Sequence, residues 1–339
     1  MTALRSQGVP HPDLNHPDSG VAWHYGDPHG EQRRLEGGGG YVDLSQRGVL
    51  TVTGPDRLTW LHSLLSQSIE HLQPGESALS LLLDPHGRVE HELHIIDDGE
   101  VTWITTESTA TEQVRTFLDS MRFMLRVEIA DVSDAYAVVW QPVRVVDDNF
   151  PTWLVPEAFA GLPAPDAGGE WNRLLAERPA LLVGREVIVS RAELDTFLDS
   201  AGQPAGTWAL EALRIAAGVP RVGLDTDTRT IPNEVGWLGS AVHLSKGCYR
   251  GQETVARTHN LGRPPRRLVL LHLDGTEERL PAHGTLVTLD DKTVGTVGSA
   301  ARHHELGPIA LALVKRSVAI DAVLLADGIS ASQQPIIIG

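Results

Sequence analysis

The residues best suited to chemistry lie in one octapeptide, Lys246-Gly247-Cys248-Tyr249-Arg250-Gly251-Gln252-Glu253, which holds the only cysteine of the 339-residue chain. Lys246 and Arg250 flank the thiol symmetrically, and cationic neighbours favour thiolate, the usual way a cysteine is made nucleophilic. Gly247 and Gly251 bracket it, letting the backbone approach a ligand closely or adopt positive φ. A lone cysteine is commonly a small buried hydrophobe. Here Gly, Lys, Tyr, Arg and Gln are poor core neighbours, so the segment reads as the setting of a functional thiol. One cysteine excludes an intramolecular disulfide and points to a reducing compartment. Nor does one thiol hold an iron–sulfur cluster, which normally takes four Cys ligands.

A second group of polar residues, His86, His91, Glu92 and His94, crowds one turn and strand. Strand residues of opposite parity face opposite sides, so His91 and His94 do not share a site, whereas His94 shares a face with Glu92. No metal site is expected there. His303-His304 reads as a solvated loop pair.

These residues need elements to position them. Tyr41–Ser45 and Val49–Thr53 alternate like strands, and Thr53-Gly-Pro-Asp56 opens a helix with an apolar face of Leu58, Leu61, Leu64 and Leu65. Leu79–Leu83, Val89–Ile96 and Val101–Thr105 follow as strands divided by Asp-Pro-His-Gly and Asp-Asp-Gly turns. A second helix is expected at about 110–121, opened by a capping box of Thr109 and Glu112. Val127–Ile129 and Tyr136–Trp140 complete a mixed sheet. Thr116-Phe-Leu-Asp-Ser120 recurs letter for letter at Thr196–Ser200, each copy following an S/T-x-x-E box, which suggests two related α+β units.

Between the units, Asp147–Gly169 is Pro/Gly-rich and reads as a surface excursion. Trp208–Ala217 is a short helix. After Arg263-Pro-Pro-Arg-Arg267, a linker with local salt bridges, the segments Leu268–Leu273, Thr285–Leu289, Thr293–Val297 and Ile309–Val314 read as a small β-barrel. Trp60, Trp103 and Trp140 belong to the core, while Trp208 and Trp237 are candidates for stacking on a flat ring. Residues 1–36, broken by Pro10, Pro12, Pro17 and Pro28, read as a flexible arm.

Composition bounds the function. Hydrophobic residues at 41% suffice for a sizeable core. A formal charge of −16 argues against nucleic acid or an anionic membrane as the main partner. No stretch approaches the run of about 18 apolar residues that spans a bilayer, and no signal or transit peptide is evident, so a cytoplasmic protein is expected.

Lys246–Glu253 resembles the K-G-C-Y-x-G-Q-E signature of the YgfZ proteins, relatives of the glycine-cleavage T-protein. Glu211–Ile215, Gly218–Asp225 and Thr230–Glu234 resemble the segments that line the folate site of T-protein relatives. Thr53–Asp56, Leu83–Val89 and Thr254–Arg257 extend the similarity, which covers about 41–339. The resemblance implies an α+β fold of two related units around a central cavity, plus a C-terminal β-barrel. It implies a folate-binding domain over 37–265, with units at 37–145 and 170–265, and a barrel at 266–339.

It also implies a tetrahydrofolate-like ligand and a role in assembling or repairing iron–sulfur proteins, with client proteins or assembly factors as partners. Cys248, Lys246 and Glu92 are then the chemical residues. Gly247, Tyr249, Gly251, Gln252, Glu253, Arg214, Asp225 and Glu234 are the folate contacts. The T-protein enzyme carries an Asp-Asp pair where this chain has His91-Glu92, and a pterin-gripping Glu where it has Ala216. Both departures argue against ordinary aminomethyl transfer, the alternative function, although Glu211 or Glu234 lies near enough in sequence to substitute for the missing acid.

Overall fold

The computed structural model describes residues 8–147, 149–160, 180–261 and 264–337. A hairpin of β1 (Val9–Pro10) and β2 (Ala22–His24) leads into helix α1 (Pro28–Glu36). Then come β3 (Tyr41–Asp43), β4 (Gly48–Thr53), α2 (Arg57–Leu64), β5 (Ser77–Leu83), β6 (Val89–Asp97) and β7 (Val101–Thr106). Next are α3 (Thr111–Ser120), β8 (Glu128–Asp131), β9 (Tyr136–Gln141), β10 (Thr152–Leu154) and β11 (Arg185–Ser190). Helices α4 (Leu194–Ser200), α5 (Thr207–Ala216), α6 (Pro232–Val235) and α7 (Gln252–Leu261) follow, with β12 (Pro204–Ala205) between the first two.

Two five-stranded sheets result, ordered β5-β6-β7-β4-β8 and β10-β11-β9-β3-β12. Period-two alternation sorts their side chains. In β6, Leu93 and Ile95 pack under α2 and α3, while Ile96 joins the core between the sheets. In β9, Ala137 and Val139 pack under α4, while Val138 and Trp140 face that central core. The repeated pentapeptide falls on α3 and α4, and Leu118 and Leu198 seal the outer faces of the two sheets. Neither expected capping box forms. Ala110 and Glu193 are the N-caps, without a side-chain bond, and Ser190 instead donates to Glu193.

The C-terminal barrel closes in the order β13-β16-β15-β14-β17-β18, from β13 (Arg266–Leu273), β14 (Leu286–Leu289), β15 (Lys292–His303), β16 (Gly307–Lys315), β17 (Leu324–Ala326) and β18 (Ile329–Pro335). One face of β13, through Leu268 and Leu270, joins the central core, and the other, through Val269 and Leu271, fills the barrel. Arg266 and Arg267 make the local contacts expected of the linker, with Asp227 and Glu234 and with the Arg316 and Val318 carbonyls; Arg263 lies outside the described residues.

Two sequence expectations are corrected. Residues 8–36 are not a loose arm. Asp27 caps α1 through the Gly30 N–H at 2.9 Å, Glu31 accepts from the Tyr25 and Gly206 N–H groups, and Gln32 exchanges two hydrogen bonds with the Arg302–His304 backbone. Pro28 suits the first helical turn, where its missing N–H costs nothing. Residues 1–7 lie outside the described residues. The 147–169 stretch is likewise not a bare surface excursion: Thr152–Leu154 adds an edge strand, and Trp153, Val155 and Phe159 are buried. Residues 148 and 161–169 lie outside the described part.

Candidate functional site

Where α5 and the two sheets meet, a cavity of about 80 Å³ opens to solvent. Its apolar wall includes Leu44, Leu79, Trp140, Trp153 and Phe159. Glu92 and His94 reach it together because they are two residues apart on β6, and His91 points elsewhere. His94 lies flat on Trp153, with centroids 3.7 Å apart and planes 5° from parallel.

Two ionic networks line the polar side. In the first, Arg47 donates to Glu186 at 2.6 Å, and Glu186 pairs with His94 Nδ1 at 2.8 Å and accepts from Thr105 at 3.1 Å. His94 Nε2 then lies 3.6 Å from Glu92 Oε1. Burial resists the charge on Glu186, but the Arg47 and His94 charges outweigh it and hold its pKa down at about 2. Burial likewise resists charge on His94, and Glu186 with the two carboxylate contacts overcomes this, so its pKa lies above 6.5.

The second network centres on two arginines. Arg214 binds Glu211 with two bonds, Asp225 at 2.7 Å, Ser299 on β15 at 2.6 Å and the Val219 carbonyl. Arg221 binds Asp18 and Glu107 bidentately and reaches Glu211 at 3.2 Å. Burial opposes ionisation of Glu107 and Glu211, but the arginine charges prevail and bring both to about 2. This cluster ties the N-terminal segment, the first sheet, α5 and the barrel together.

Of the residues expected at the site, Glu92 and Arg214 line the cavity and Asp225 braces Arg214. The octapeptide does not line it, so Cys248 and the folate contacts expected at Gly247, Tyr249, Gly251, Gln252 and Glu253 lie apart from this cavity. Cys248 is exposed. Lys246 is 9% exposed and points away from solvent, donating to the His62, Leu65 and Gln67 carbonyls at the end of α2. Its ammonium is thus spent on a helix terminus and not on the thiol. Burial draws its pKa down to about 8.

Gly247 and Glu253 are exposed, and Gln252 donates to the Lys246 carbonyl. Tyr249 is buried beneath the Lys246 ammonium, its phenol pushed up to about 12 by burial. Gly251, at φ 81°, packs on the Asp84–Gly87 turn, where a Cβ would meet the Asp84 carbonyl oxygen at 2.6 Å. Glu234 is held by Arg266 and the Ile231 N–H, and Ala216 is fully buried. Trp237 is core and Trp208 stacks on Trp23, so neither offers a face to the cavity.

The sequence reading missed Arg47, Glu186, Arg221 and Trp153. One signal was available: Glu186 interrupts the apolar run Val187-Ile188-Val189, and a charge placed in a buried strand needs a partner. His303, expected to be solvated, is 4% exposed and lies with His304 and Glu36 in a group whose ligand-type atoms are within 4.8 Å.

The GCVT N-terminal domain matches residues 23–140, and the glycine cleavage T-protein C-terminal barrel domain matches residues 266–327. A crystal structure of the glycine cleavage system aminomethyltransferase T from Bartonella henselae superposes with a TM-score of 0.66 over 91% of this chain and 89% of that one, at 18% identity. The fold is that of the glycine-cleavage T-protein. Sequence relatives of this T-protein-like chain include an aminomethyltransferase of Nostoc sp., 27% identical over 85% of this chain and 80% of that protein. An aminomethyltransferase of Streptomyces coelicolor is 29% identical over 86% and 82%. Among the described residues no helix is long and apolar enough to cross a membrane.

Proposed function

We propose that this T-protein-like chain binds a reduced folate in its central cavity and acts as an accessory factor in iron–sulfur protein assembly or repair, through Cys248. The observation that carries the accessory role is the place of the thiol. A sulfur acting on the cavity ligand must line the cavity, whereas one serving a protein client must stand at the surface. Cys248 is exposed, on a segment pinned by Lys246 on one side and Gly251 on the other. A reduced folate suits the cavity's aromatic wall, and Glu92, which feels the Arg47 charge but is not hydrogen-bonded to an arginine among the described residues, suits its N–H-bearing ring. The YgfZ-like octapeptide agrees with this reading, and the setting proposed with it is the cytoplasm.

Cluster-dependent enzyme activities in a deletion strain test it. The wild-type gene restores them and Cys248→Ala restores them only in part; full restoration by Cys248→Ala removes the thiol from the mechanism.

Glu92 also favours a second reading, a tetrahydrofolate-dependent transferase like the named relatives, since a carboxylate at the cavity wall can stabilise a developing cation. Purified protein given an aminomethyl-lipoyl donor and tetrahydrofolate decides. Methylene-tetrahydrofolate formed at enzyme-like turnover replaces the accessory reading.

A further inference from the structure

The acids that line the cavity are not equivalent. Asp18 is held by Arg221 at 2.7 and 2.8 Å, Glu186 by Arg47 at 2.6 Å and Glu211 by Arg214 at 2.7 Å. Among the described residues Glu92 has the 3.6 Å approach of His94 Nε2, too long for a hydrogen bond, and the more distant charge of Arg47. His94 is 5% exposed, and its ring plane is fixed by the Trp153 stack. Its Nδ1 faces an ionised Glu186, which can only accept, so Nδ1 carries a proton in either charge state. Nε2 is therefore the atom whose character changes. It is an N–H donor in the cation and a bare lone pair in the neutral ring.

We propose that Glu92 Oε1 and His94 Nε2 form an edge-reading pair for a planar heterocycle bearing adjacent N–H and C=O groups, with the proton on His94 Nε2 required for binding. This rests on the folate reading of the cavity and names the atoms that hold the ring. The carboxylate accepts the ring N–H, and the imidazolium N–H donates to the neighbouring carbonyl. When Nε2 loses its proton, a lone pair faces the ligand oxygen beside a carboxylate, and the match is lost. The pair supplies from β6 the recognition that Ala216 on α5 does not offer.

The groups facing His94 are accounted for from each neighbouring element. Glu92 lies on its own strand, Glu186 and Trp153 approach from β11 and β10, Thr105 from β7, and Arg47 from the β3–β4 turn. Arg47 disfavours the imidazolium and the two acids favour it. Elsewhere on the polar wall Asp18, Glu211, Arg214 and Arg221 are bonded within their own network, whereas Gln46 Oε1 and Arg47 Nε are buried without a hydrogen-bond partner among the described residues.

Calorimetry with 5-formyltetrahydrofolate at pH 6 to 9 tests the pair. Wild-type affinity is expected to fall across that range. His94→Gln, which keeps a donor but does not titrate, gives a flat profile. His94→Phe, which keeps the Trp153 stack but lacks the donor, binds about tenfold more weakly at pH 6, the worth of one charge-assisted bond. Melting curves establish that both variants fold, and two variants of different shape guard against one that does not. A flat wild-type profile, or His94→Phe binding as tightly as wild type, overturns the edge pair while leaving folate binding intact. No binding by folded wild type overturns the folate reading and the ligand class with it.

Discussion

Lys246→Met isolates what the motif lysine does. The substitution keeps the aliphatic stem and removes an ammonium whose three N–H groups reach the His62, Leu65 and Gln67 carbonyls. A bond from a charged group is worth about 1.5–3 kcal/mol when made singly. The three share one ammonium and do not add in full. A cation at a partly buried helix C-terminus contributes up to about 2 kcal/mol more. Against these stands the cost of burying the charge, visible in the pKa drawn down to about 8. The net loss expected is about 2–4 kcal/mol, most of it from carbonyl oxygens left buried without a donor. Urea unfolding followed by tryptophan fluorescence, with the midpoint converted at constant slope, measures it. A loss under about 1 kcal/mol, joined to a many-fold fall in Cys248 alkylation in the folded variant, would refute the reasoning and return the lysine to the thiol.

Gly251→Ala places a Cβ at φ 81°, against the Asp84 carbonyl oxygen and 2.7 Å from Gly87 Cα, and is expected to cost about 2–4 kcal/mol by urea unfolding. Glu107, Glu186 and Glu211 have folded pKa values near 2 against an ordinary 4.5, so each contributes stability above pH 4.5 that is lost as pH falls through 4.5 toward 2. The urea midpoint should therefore drop steeply between pH 5 and pH 3; a midpoint constant over that interval contradicts the ionic networks.

Much of the fold was legible because it is local. Alternation in β6 put Glu92 and His94 on one face, the repeated Thr-Phe-Leu-Asp-Ser marked a helix over each sheet, and Gly- and Asp-punctuated strands marked the barrel. The N-terminal segment and residues 149–160 were misjudged because the prolines of the first and the Pro/Gly-rich composition around the second suggested solvent. Glu31 and Gln32 instead satisfy backbone groups far away in the chain, at Gly206 and at Arg302–His304.

By itself the sequence determined the single thiol and the parity that aims Glu92, since these depend on residue types and on spacing along one strand, while the T-protein-like architecture was implied by resemblance to that family. Only the tertiary structure decided that Lys246 serves a helix end and that Cys248 faces solvent. It alone joined Arg47, Glu186 and His94 behind Glu92, contacts across 92 positions of chain in the case of His94 and Glu186. A charge takes its role from whichever partner lies within about 4 Å, and that neighbour is chosen by packing and not by adjacency.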